Sequence, residues 1–327
     1  MKTTALAKTL FAKTQPLKAT RDGYGEGLVE LGAKNPLVVV LTGDLKESTR
    51  TEWFEEHYPD RFIEMGIAEQ NMAVVATGLA LAGKIPFVAT YAVFCPGRNW
   101  DQVRISICYQ NVNVKLSGAH AGISVGPDGA THQALEDIAI TRVLPNMTVF
   151  VPCDAEETRK VVHAAAKIVG PVYMRFARHK TPVFTTPKSP LTPGKAAQLT
   201  NGDDVTIVAC GPIVYNALEA ARELSGKGIG VRVLNMATVK PLDAHAVVRA
   251  AKETGAIVTA EEHQIHGGLG SAVAEVLVRE YPVPQEFVGM PDRFGESGTP
   301  DELLHAYGMD TKAAVNAIHR VLKRKRP

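Results

Sequence analysis

The sequence predicts an α/β protein made of two doubly wound domains with mostly parallel sheets. Short β-branched runs alternate with helical patterns along both halves of the chain, an order that is typical of parallel α/β layers. The 327 residues, of which 45% are hydrophobic, can bury two ordinary cores. A proline-rich stretch without periodicity begins near Phe184 and separates the two halves.

This organisation predicts a first domain over residues 1–185, a connection over residues 186–200 and a second domain over residues 201–327. The predicted strands of the first domain are residues 37–41, 87–90, 112–116, 148–151 and 172–176. The predicted elements of the second domain are strands at 205–210, 230–234 and 256–259 and helices near 215–225 and 270–281.

Composition excludes several classes of function. The formal net charge is +2, and no basic stripe suggests binding to nucleic acid. No segment approaches the length of a membrane span, and residues 1–18 lack the apolar core of a secretory signal. The four cysteines lie far apart without a Cys-x-x-Cys pair, so we expect neither disulfides nor a zinc site. A reducing, cytoplasmic location follows most simply.

A carboxylate and two aromatic rings form the first candidate site. Apolar residues spaced i, i+3, i+4 and i+7 from Met72 to Leu79 predict a helix, which places Glu69 in or near its first turn. Tyr91 and Phe94 follow the next predicted strand. One carboxylate and two flat rings suit a heteroaromatic cofactor. The plain alternative is a helix-terminus carboxylate without chemistry.

The loop over residues 117–132 is the second candidate site. It holds four glycines, two histidines and one aspartate directly after a predicted strand. His120, Asp128 and His132 suit a polyol or carbonyl substrate, because histidine exchanges protons near neutral pH. A metal site and a plain structural loop remain open alternatives on spacing alone. In parallel sheets ligands bind beyond the carboxyl ends of the strands, where this loop and Arg178 fall.

Together these motifs resemble the transketolases. The chain is similar to the C-terminal two-thirds of a transketolase, with residues 1–185 as the pyrimidine-binding thiamine diphosphate domain and 201–327 as the transketolase C-terminal domain. The matching motifs are Ala19-Thr20-Arg21, Gly43-Asp44-Leu45-Lys46-Glu47-Ser48-Thr49, Ile67-Ala68-Glu69-Gln70-Asn71-Met72, the loop from His120 to His132 with Glu136-Asp137, and Arg175-Phe176-Ala177-Arg178.

The resemblance implies that thiamine diphosphate is the cofactor. Glu69 matches the glutamate that bonds the pyrimidine nitrogen and promotes the imino tautomer, which leads to the nucleophilic ylide. Tyr91 and Phe94 match rings that pack on the aminopyrimidine. At the third aromatic position of some relatives this chain has Gly97, so part of the wall is missing or is supplied by Trp100.

The resemblance also implies a sugar phosphate as substrate. His120 and Asp128 match residues that contact the donor's hydroxyls, and His132 matches a position that assists proton transfer at the carbonyl. The implied catalytic groups are therefore Glu69, His120 and His132. The implied phosphate ligands are Arg21, Ser48 and Arg178.

A separate N-terminal transketolase subunit is the expected partner. The Gly-Asp-Gly motif with its later asparagine, which holds the diphosphate and its metal in the family, does not occur in this chain. The resemblance therefore implies a split enzyme, most simply an α2β2 heterotetramer, whose partner subunit holds Mg²⁺ or Ca²⁺. The implied reaction is transfer of a two-carbon ketol unit from a ketose phosphate to an aldose phosphate, as in the pentose phosphate pathway.

Two rival functions stay open. One is the β subunit of a 2-oxo acid dehydrogenase, which has a similar length and a comparable glutamate. The other is a non-catalytic scaffolding subunit that keeps the fold. His263 and His266 resemble the family signature of the second domain but have no role that the sequence reveals, and a surface loop is favoured over a metal site there.

Overall fold

The computed structural model describes residues 6–325. Residues 1–5 and 326–327, at the outer ends of the two predicted domains, lie outside the described part. The strands are β1 (Leu17–Ala19), β2 (Val38–Thr42), β3 (Phe62–Glu64), β4 (Ile85–Tyr91), β5 (Lys115–Ala119), β6 (Thr148–Phe150), β7 (Val172–Arg175), β8 (Lys180–Pro182), β9 (Ala197–Thr200), β10 (Val205–Ala209), β11 (Val231–Asn235), β12 (Thr238–Lys240), β13 (Ile257–Gln264) and β14 (Gln285–Met290).

Helices cover the sheets. Three short turns, at Pro59–Arg61, Val103–Tyr109 and Ile123–Val125, complete the described elements, the middle one being a π-helix that continues α5. The helices are α1 (Thr20–Lys34), α2 (Lys46–Thr49), α3 (Glu52–His57), α4 (Glu69–Leu81), α5 (Trp100–Gln102), α6 (Asp137–Arg142), α7 (Ala155–Lys167), α8 (Val214–Ser225), α9 (Ala244–Thr254), α10 (Leu269–Glu280), α11 (Pro300–Ala306) and α12 (Thr311–Arg324).

Two mostly parallel sheets form the centres of the two halves, which confirms the predicted α/β class. The first sheet has the order β12-β6-β7-β5-β4-β2-β3 and is parallel except at β12. The second has the order β14-β13-β10-β11-β9 and is parallel except at β9. β1 and β8 form a separate antiparallel ribbon. No helix within residues 6–325 is both long enough and apolar enough to cross a bilayer.

The chain between the two halves is more ordered than its composition suggests. The predicted connection, residues 186–200, ends in β9, which pairs with β11 of the second sheet. β12 lies well beyond this connection in the sequence, yet it pairs with β6 and extends the first sheet. The limits of the two domains stay a prediction, but the pairing of β12 with β6 joins the two halves.

Two strands continue beyond their predicted ends, because they contain buried residues that an apolar pattern does not include. The strand predicted at 112–116 is β5, which runs to Ala119 in the middle of the first sheet. Gly118 lies within β5, and only glycine fits there, because a Cβ would lie 2.1 Å from the hydroxyl of Tyr173. The strand predicted at 256–259 is β13, which continues to Gln264. Apolar patterning could not indicate that the charged residues of β13 are buried.

His263 lies within β13 and is fully buried, so its assignment to a surface loop is wrong. Its Nε2 accepts a hydrogen bond from the amide of Ala139 in α6 at 3.3 Å, and its Nδ1 donates to the carbonyl of Gln264 at 2.7 Å. The ring therefore joins the second sheet to a helix of the first half. His266 is exposed, as predicted.

A buried ion pair fastens the two halves together. Arg175 at the end of β7 donates from Nε to the carboxylate of Asp137 at 2.8 Å, and Tyr173 donates to the same oxygen at 2.7 Å. A second guanidinium nitrogen of Arg175 donates to the carbonyls of Ala134 and Glu262. Burial is the largest single influence and would lower the pKa of Arg175, but Asp137, Tyr173 and Glu262 together outweigh it and raise the pKa. Burial, and next the same carboxylate, raises the pKa of Tyr173 well above its ordinary value.

We expect the Arg175→Met variant to lower the free energy of unfolding by about 3–5 kcal/mol, because Asp137 would stay buried without its cation. Urea denaturation at fixed protein concentration measures this loss. The matched control is Arg320→Gln, which removes the exposed ion pair with Glu286 and costs at most about 1 kcal/mol. Equal losses in the two variants would contradict the structural role of the buried pair.

Candidate active site

The candidate residues gather at one edge of the first sheet, as predicted from parallel topology. The register pairs Tyr91 at the end of β4 with Ala119 at the end of β5, and Gly118 with Arg175 of β7. His120 follows β5 directly. The carboxyl ends of these strands therefore present the candidate side chains to the same space.

Glu69 is the first residue of α4, and only 1% of its surface is exposed. Arg98 donates from Nη1 to Glu69 Oε2 at 2.7 Å, and Asn99 donates to the Glu69 carbonyl at 3.1 Å. Within residues 6–325 no hydrogen bond reaches the other carboxylate oxygen, Oε1. The nearest strand end on that side is Gly43, where a Cβ would lie 4.0 Å from Oε1. One oxygen of Glu69 is thus free to bond a ligand.

Two nearly parallel rings stand beside this carboxylate. The rings of Tyr91 and Phe94 have centroids 5.9 Å apart and an interplanar angle of 14°. His132 meets both rings edge-on, at 6.0 Å from Tyr91 and 5.8 Å from Phe94. Planar heteroaromatic groups prefer such offset and edge-to-face contacts. The arrangement suits the packing of a flat ring.

The two rings have no third aromatic neighbour at Gly97, and Trp100 does not supply one. A Cβ on Gly97 would lie 2.1 Å from the carbonyl oxygen of Val93, so the backbone excludes every side chain there. Trp100 is not part of the wall, because its indole donates to the carbonyl of Ile140 at 2.8 Å. The guanidinium carbon of Arg98 lies 4.5 Å from the Phe94 centroid instead. Cation–π attraction favours this contact.

A cationic pocket lies on the other side of Tyr91. Arg21 donates to the carbonyl of Ser48 at 2.9 Å, and the Tyr91 hydroxyl donates to the Ser48 hydroxyl at 3.0 Å. The His120 ring stacks on Tyr91 with centroids 4.0 Å apart. Burial lowers the pKa of Arg21, and the charge of nearby Arg50 lowers it further. Excess positive charge therefore faces this pocket, which suits an anionic ligand.

His120 is neutral in the folded chain. Its pKa is lowered to about 2, first by burial and then by the charges of Arg21, Arg178 and Arg50. Arg21 Nη1 lies 3.5 Å from His120 Nε2 and can only donate, so the ring proton resides on Nδ1. This Nδ1 is buried and has no partner within residues 6–325. Since Nε2 faces the Arg21 donor, the ring can donate from Nδ1 to a ligand group.

Asp128 and Arg178 meet at the rim of the pocket. Arg178 donates from Nη1 to Asp128 at 3.1 Å and to the carbonyl of Val125 at 3.0 Å. Both side chains are about a third exposed, so a substrate can reach them. The structure thus brings all the predicted site residues together around Tyr91 and Phe94.

Sequence reasoning missed Arg98 and Arg50. Arg98 directly follows Gly97, but nothing in the sequence indicates that its side chain turns back to Glu69. Arg50 lies two residues after Ser48 and donates to Asp22 at 2.8 Å. Within residues 6–325 no three His, Cys, Asp or Glu side chains gather closely enough to hold a metal ion. The metal alternative for the loop over residues 117–132 therefore has no support from the geometry.

Two family models match most of the chain. The transketolase pyrimidine binding domain covers residues 17–183, and the transketolase C-terminal domain covers residues 194–313. The chain belongs to the transketolase family. The resemblance that the sequence motifs indicate is confirmed.

Relatives of similar length share this organisation. The chain is 44% identical over 305 residues to the 6-deoxy-6-sulfo-D-fructose transketolase subunit SqwH of Clostridium sp. (93% of this chain, 95% of that subunit). It is 42% identical over 311 residues to a Methanocaldococcus jannaschii protein described as a transketolase C-terminal section (94% and 98%). A solved split-gene transketolase, described as an inactive β4 tetramer, is 52% identical with a TM-score of 0.89 (94% and 99%). The chain is thus similar, over nearly its whole length, to C-terminal subunits of split transketolases.

Membership of the transketolase family implies dependence on thiamine diphosphate, and the described residues fit its aminopyrimidine ring. The buried Glu69 side chain offers a carboxylate oxygen without a hydrogen bond within residues 6–325, and Tyr91 and Phe94 offer nearly parallel ring faces. The transketolase site thus has a place for the ring and, across Tyr91, a cationic pocket for an anionic substrate.

We expect the stability of this transketolase chain to fall in acid because of His120. Its folded pKa is depressed below the ordinary 6.5, so its contribution is complete above that value and is lost as pH falls toward about 2. Relative to His120→Asn, the wild type should lose about 1.4 kcal/mol of unfolding free energy per pH unit below 6.5. Asparagine tolerates the positive φ of this residue.

Denaturant titrations of both chains between pH 7.5 and 5.0 measure the difference. The buffers must lack phosphate and sulfate, because a bound anion would favour protonation of the ring. Parallel pH profiles for the two chains would show that His120 takes up its proton normally and would contradict the prediction.

Proposed function

We propose that this chain is the C-terminal subunit of a thiamine diphosphate-dependent split transketolase (EC 2.2.1.1). It transfers a two-carbon ketol unit from a ketose phosphate to an aldose phosphate, and it is active only with a separate N-terminal subunit. The observation that carries the proposal is the buried, half-free carboxylate of Glu69 beside the parallel rings of Tyr91 and Phe94.

The chain's own contribution is orientation and proton transfer. Thiamine diphosphate supplies, when bound, the electron sink that carbon–carbon cleavage requires. Glu69 Oε1 would bond the pyrimidine nitrogen, and the rings of Tyr91 and Phe94 would hold the pyrimidine by packing on it. His132, edge-on to both rings, is placed to move a proton at the substrate's carbonyl oxygen.

The cationic pocket selects a substrate with an anionic end. Arg21 and Arg178 supply guanidinium donors for a phosphate, and the Ser48 hydroxyl adds a neutral donor. His120 and Asp128 bind the sugar's hydroxyls. The chain's relative SqwH is named for a sulfonated sugar, and guanidinium groups bind sulfonate as well as phosphate. A sulfonated ketose is therefore the second substrate to test.

An exposed apolar face supports the proposal of a partner subunit. Beyond its first residue, α4 carries no charged side chain, and a helix that is apolar all round is normally buried. Five large apolar side chains of α4 and its neighbours are nevertheless 46–85% exposed: Ile67, Val74, Leu81, Ile105 and Tyr109. We propose that the N-terminal subunit, which also holds the diphosphate with Mg²⁺ or Ca²⁺, covers this face in an α2β2 heterotetramer.

The decisive measurement is a coupled assay of ketol transfer from xylulose 5-phosphate to ribose 5-phosphate with thiamine diphosphate and Mg²⁺. We expect activity only when the chain is mixed with its N-terminal subunit. In the mixture, Glu69→Gln should lower kcat by about 100-fold or more, the usual effect of losing an acid–base group. A 6-deoxy-6-sulfo-D-fructose donor tests the sulfonate alternative in the same assay.

Other outcomes separate the rival functions. Activity of the chain alone would contradict the split enzyme. A mixture that keeps its activity with Glu69→Gln would favour a scaffolding subunit. A mixture that transfers no ketol unit but supports lipoyl-dependent decarboxylation would favour the 2-oxo acid dehydrogenase.

We expect Val74→Glu on α4 to prevent assembly with the N-terminal subunit, because the new carboxylate would be buried without a partner. Sedimentation velocity of the mixture measures the complex. The control is Val169→Glu, an 86% exposed residue outside the apolar face defined above, which should assemble normally. Both variants should fold alone, and normal assembly of Val74→Glu would place the interface elsewhere.

A further inference from the structure

Arg98 binds the catalytic carboxylate and a cofactor-facing ring at once. It donates to Glu69 Oε2 at 2.7 Å, and its guanidinium carbon lies 4.5 Å from the centre of Phe94. The two side chains differ in exposure: that of Glu69 is 1% exposed and that of Arg98 is 45% exposed. The only cation paired with the buried carboxylate, among residues 6–325, thus reaches it from the surface.

The backbone holds Arg98 in this place. Its amide donates to the carbonyl of Phe94 at 2.9 Å, and the adjacent Asn99 is fully buried and donates to the Glu69 carbonyl. Gly97 makes the turn possible, because its missing Cβ would collide with the carbonyl of Val93. The absence of an aromatic side chain at position 97 and the presence of the guanidinium beside Phe94 are therefore consequences of the same turn.

We propose that Arg98 is a positioning residue for the cofactor's pyrimidine ring, acting through Glu69 and Phe94. The proposal rests on the proposed function. Arg98 occupies Oε2 and thereby directs the free Oε1 to the space beside Gly43, where the ring nitrogen binds. Its contact with Phe94 fixes the plane on which the ring packs.

The geometry favours positioning over competition with the cofactor. A residue that competed with the cofactor for Glu69 would occupy both carboxylate oxygens. Arg98 bonds only Oε2. The guanidinium is fixed at two points, so the rotamer of Glu69 is set before the ring arrives. Preorganisation of this kind lowers the entropy lost on binding.

The test uses the assembled enzyme with Arg98→Gln, Arg98→Lys and the control Arg320→Gln. Titration calorimetry gives the affinity for thiamine diphosphate, and quenched-flow NMR gives the rate at which the bound thiazolium C2 proton exchanges for deuterium. Neither readout involves a sugar substrate. Arg98→Gln should lower both the affinity and the exchange rate about tenfold or more, the size of one charge-assisted hydrogen bond.

Arg98→Lys should restore part of both losses, because an ammonium can still pair with Glu69 but cannot lie flat on Phe94. In a Glu69→Gln background, Arg98→Gln should cause little further loss of affinity, since the two residues act together. Arg320→Gln should match the wild type in both readouts.

Three results would overturn the proposal: tighter cofactor binding by Arg98→Gln, which would make Arg98 a competitor; unchanged affinity and exchange; or full additivity with Glu69→Gln. A wild-type complex that binds no thiamine diphosphate would instead contradict the proposed function. A general folding defect would lower the thermal midpoint of the chain and would not be rescued by Arg98→Lys.

Discussion

The buried guanidinium of Arg175 joins three parts of the chain that the site requires. It pairs with Asp137 at the start of α6. It also donates to the carbonyl of Ala134, just after the loop over residues 117–132, and to that of Glu262 in the second sheet. Loss of one of these partners would leave the buried guanidinium incompletely paired, which costs free energy of folding. This cost keeps the three segments together. Arg175 thus contributes both to the interface between the halves and to the shape of the loop.

This contact gives the second domain a structural role in the site. Glu262 is buried, and its carboxylate accepts from the amide of Ser124 at 3.3 Å. Gly122, at φ +91°, lies so close to Glu262 that a Cβ there would approach its carboxylate to 2.7 Å. The turn held in this way ends at Val125, whose carbonyl accepts from Arg178. A strand of the second domain therefore supports the loop whose Val125 carbonyl holds Arg178.

Local patterns predicted most of the fold, and the motifs named most of the side chains that the structure brings together around Tyr91 and Phe94. Apolar spacing located α4 and the central strands because their burial comes from their own side chains. It failed at β13, where His263 is fully buried and bonds Ala139, more than a hundred residues away. Arg98 was missed because its partner, Glu69, lies across the fold, and the bond of Trp100 to Ile140 likewise leaves no local signal. Hydrogen bonds distant in sequence leave no periodic signal.

The charges of the site are segregated, and this separation limits what each end can bind. Glu69 is the anionic end, and Arg98 neutralises only one of its oxygens. At the other end Arg21 and Arg178 surround His120, which cannot share their charge because its pKa lies at about 2. Asp128 and Asp22 already pair with Arg178 and Arg50, and an entering anion would offset the positive charge that remains. The Tyr91 ring lies between the two ends. It therefore separates an anionic group bound at the arginines from a hydrogen-bond donor bound at Glu69.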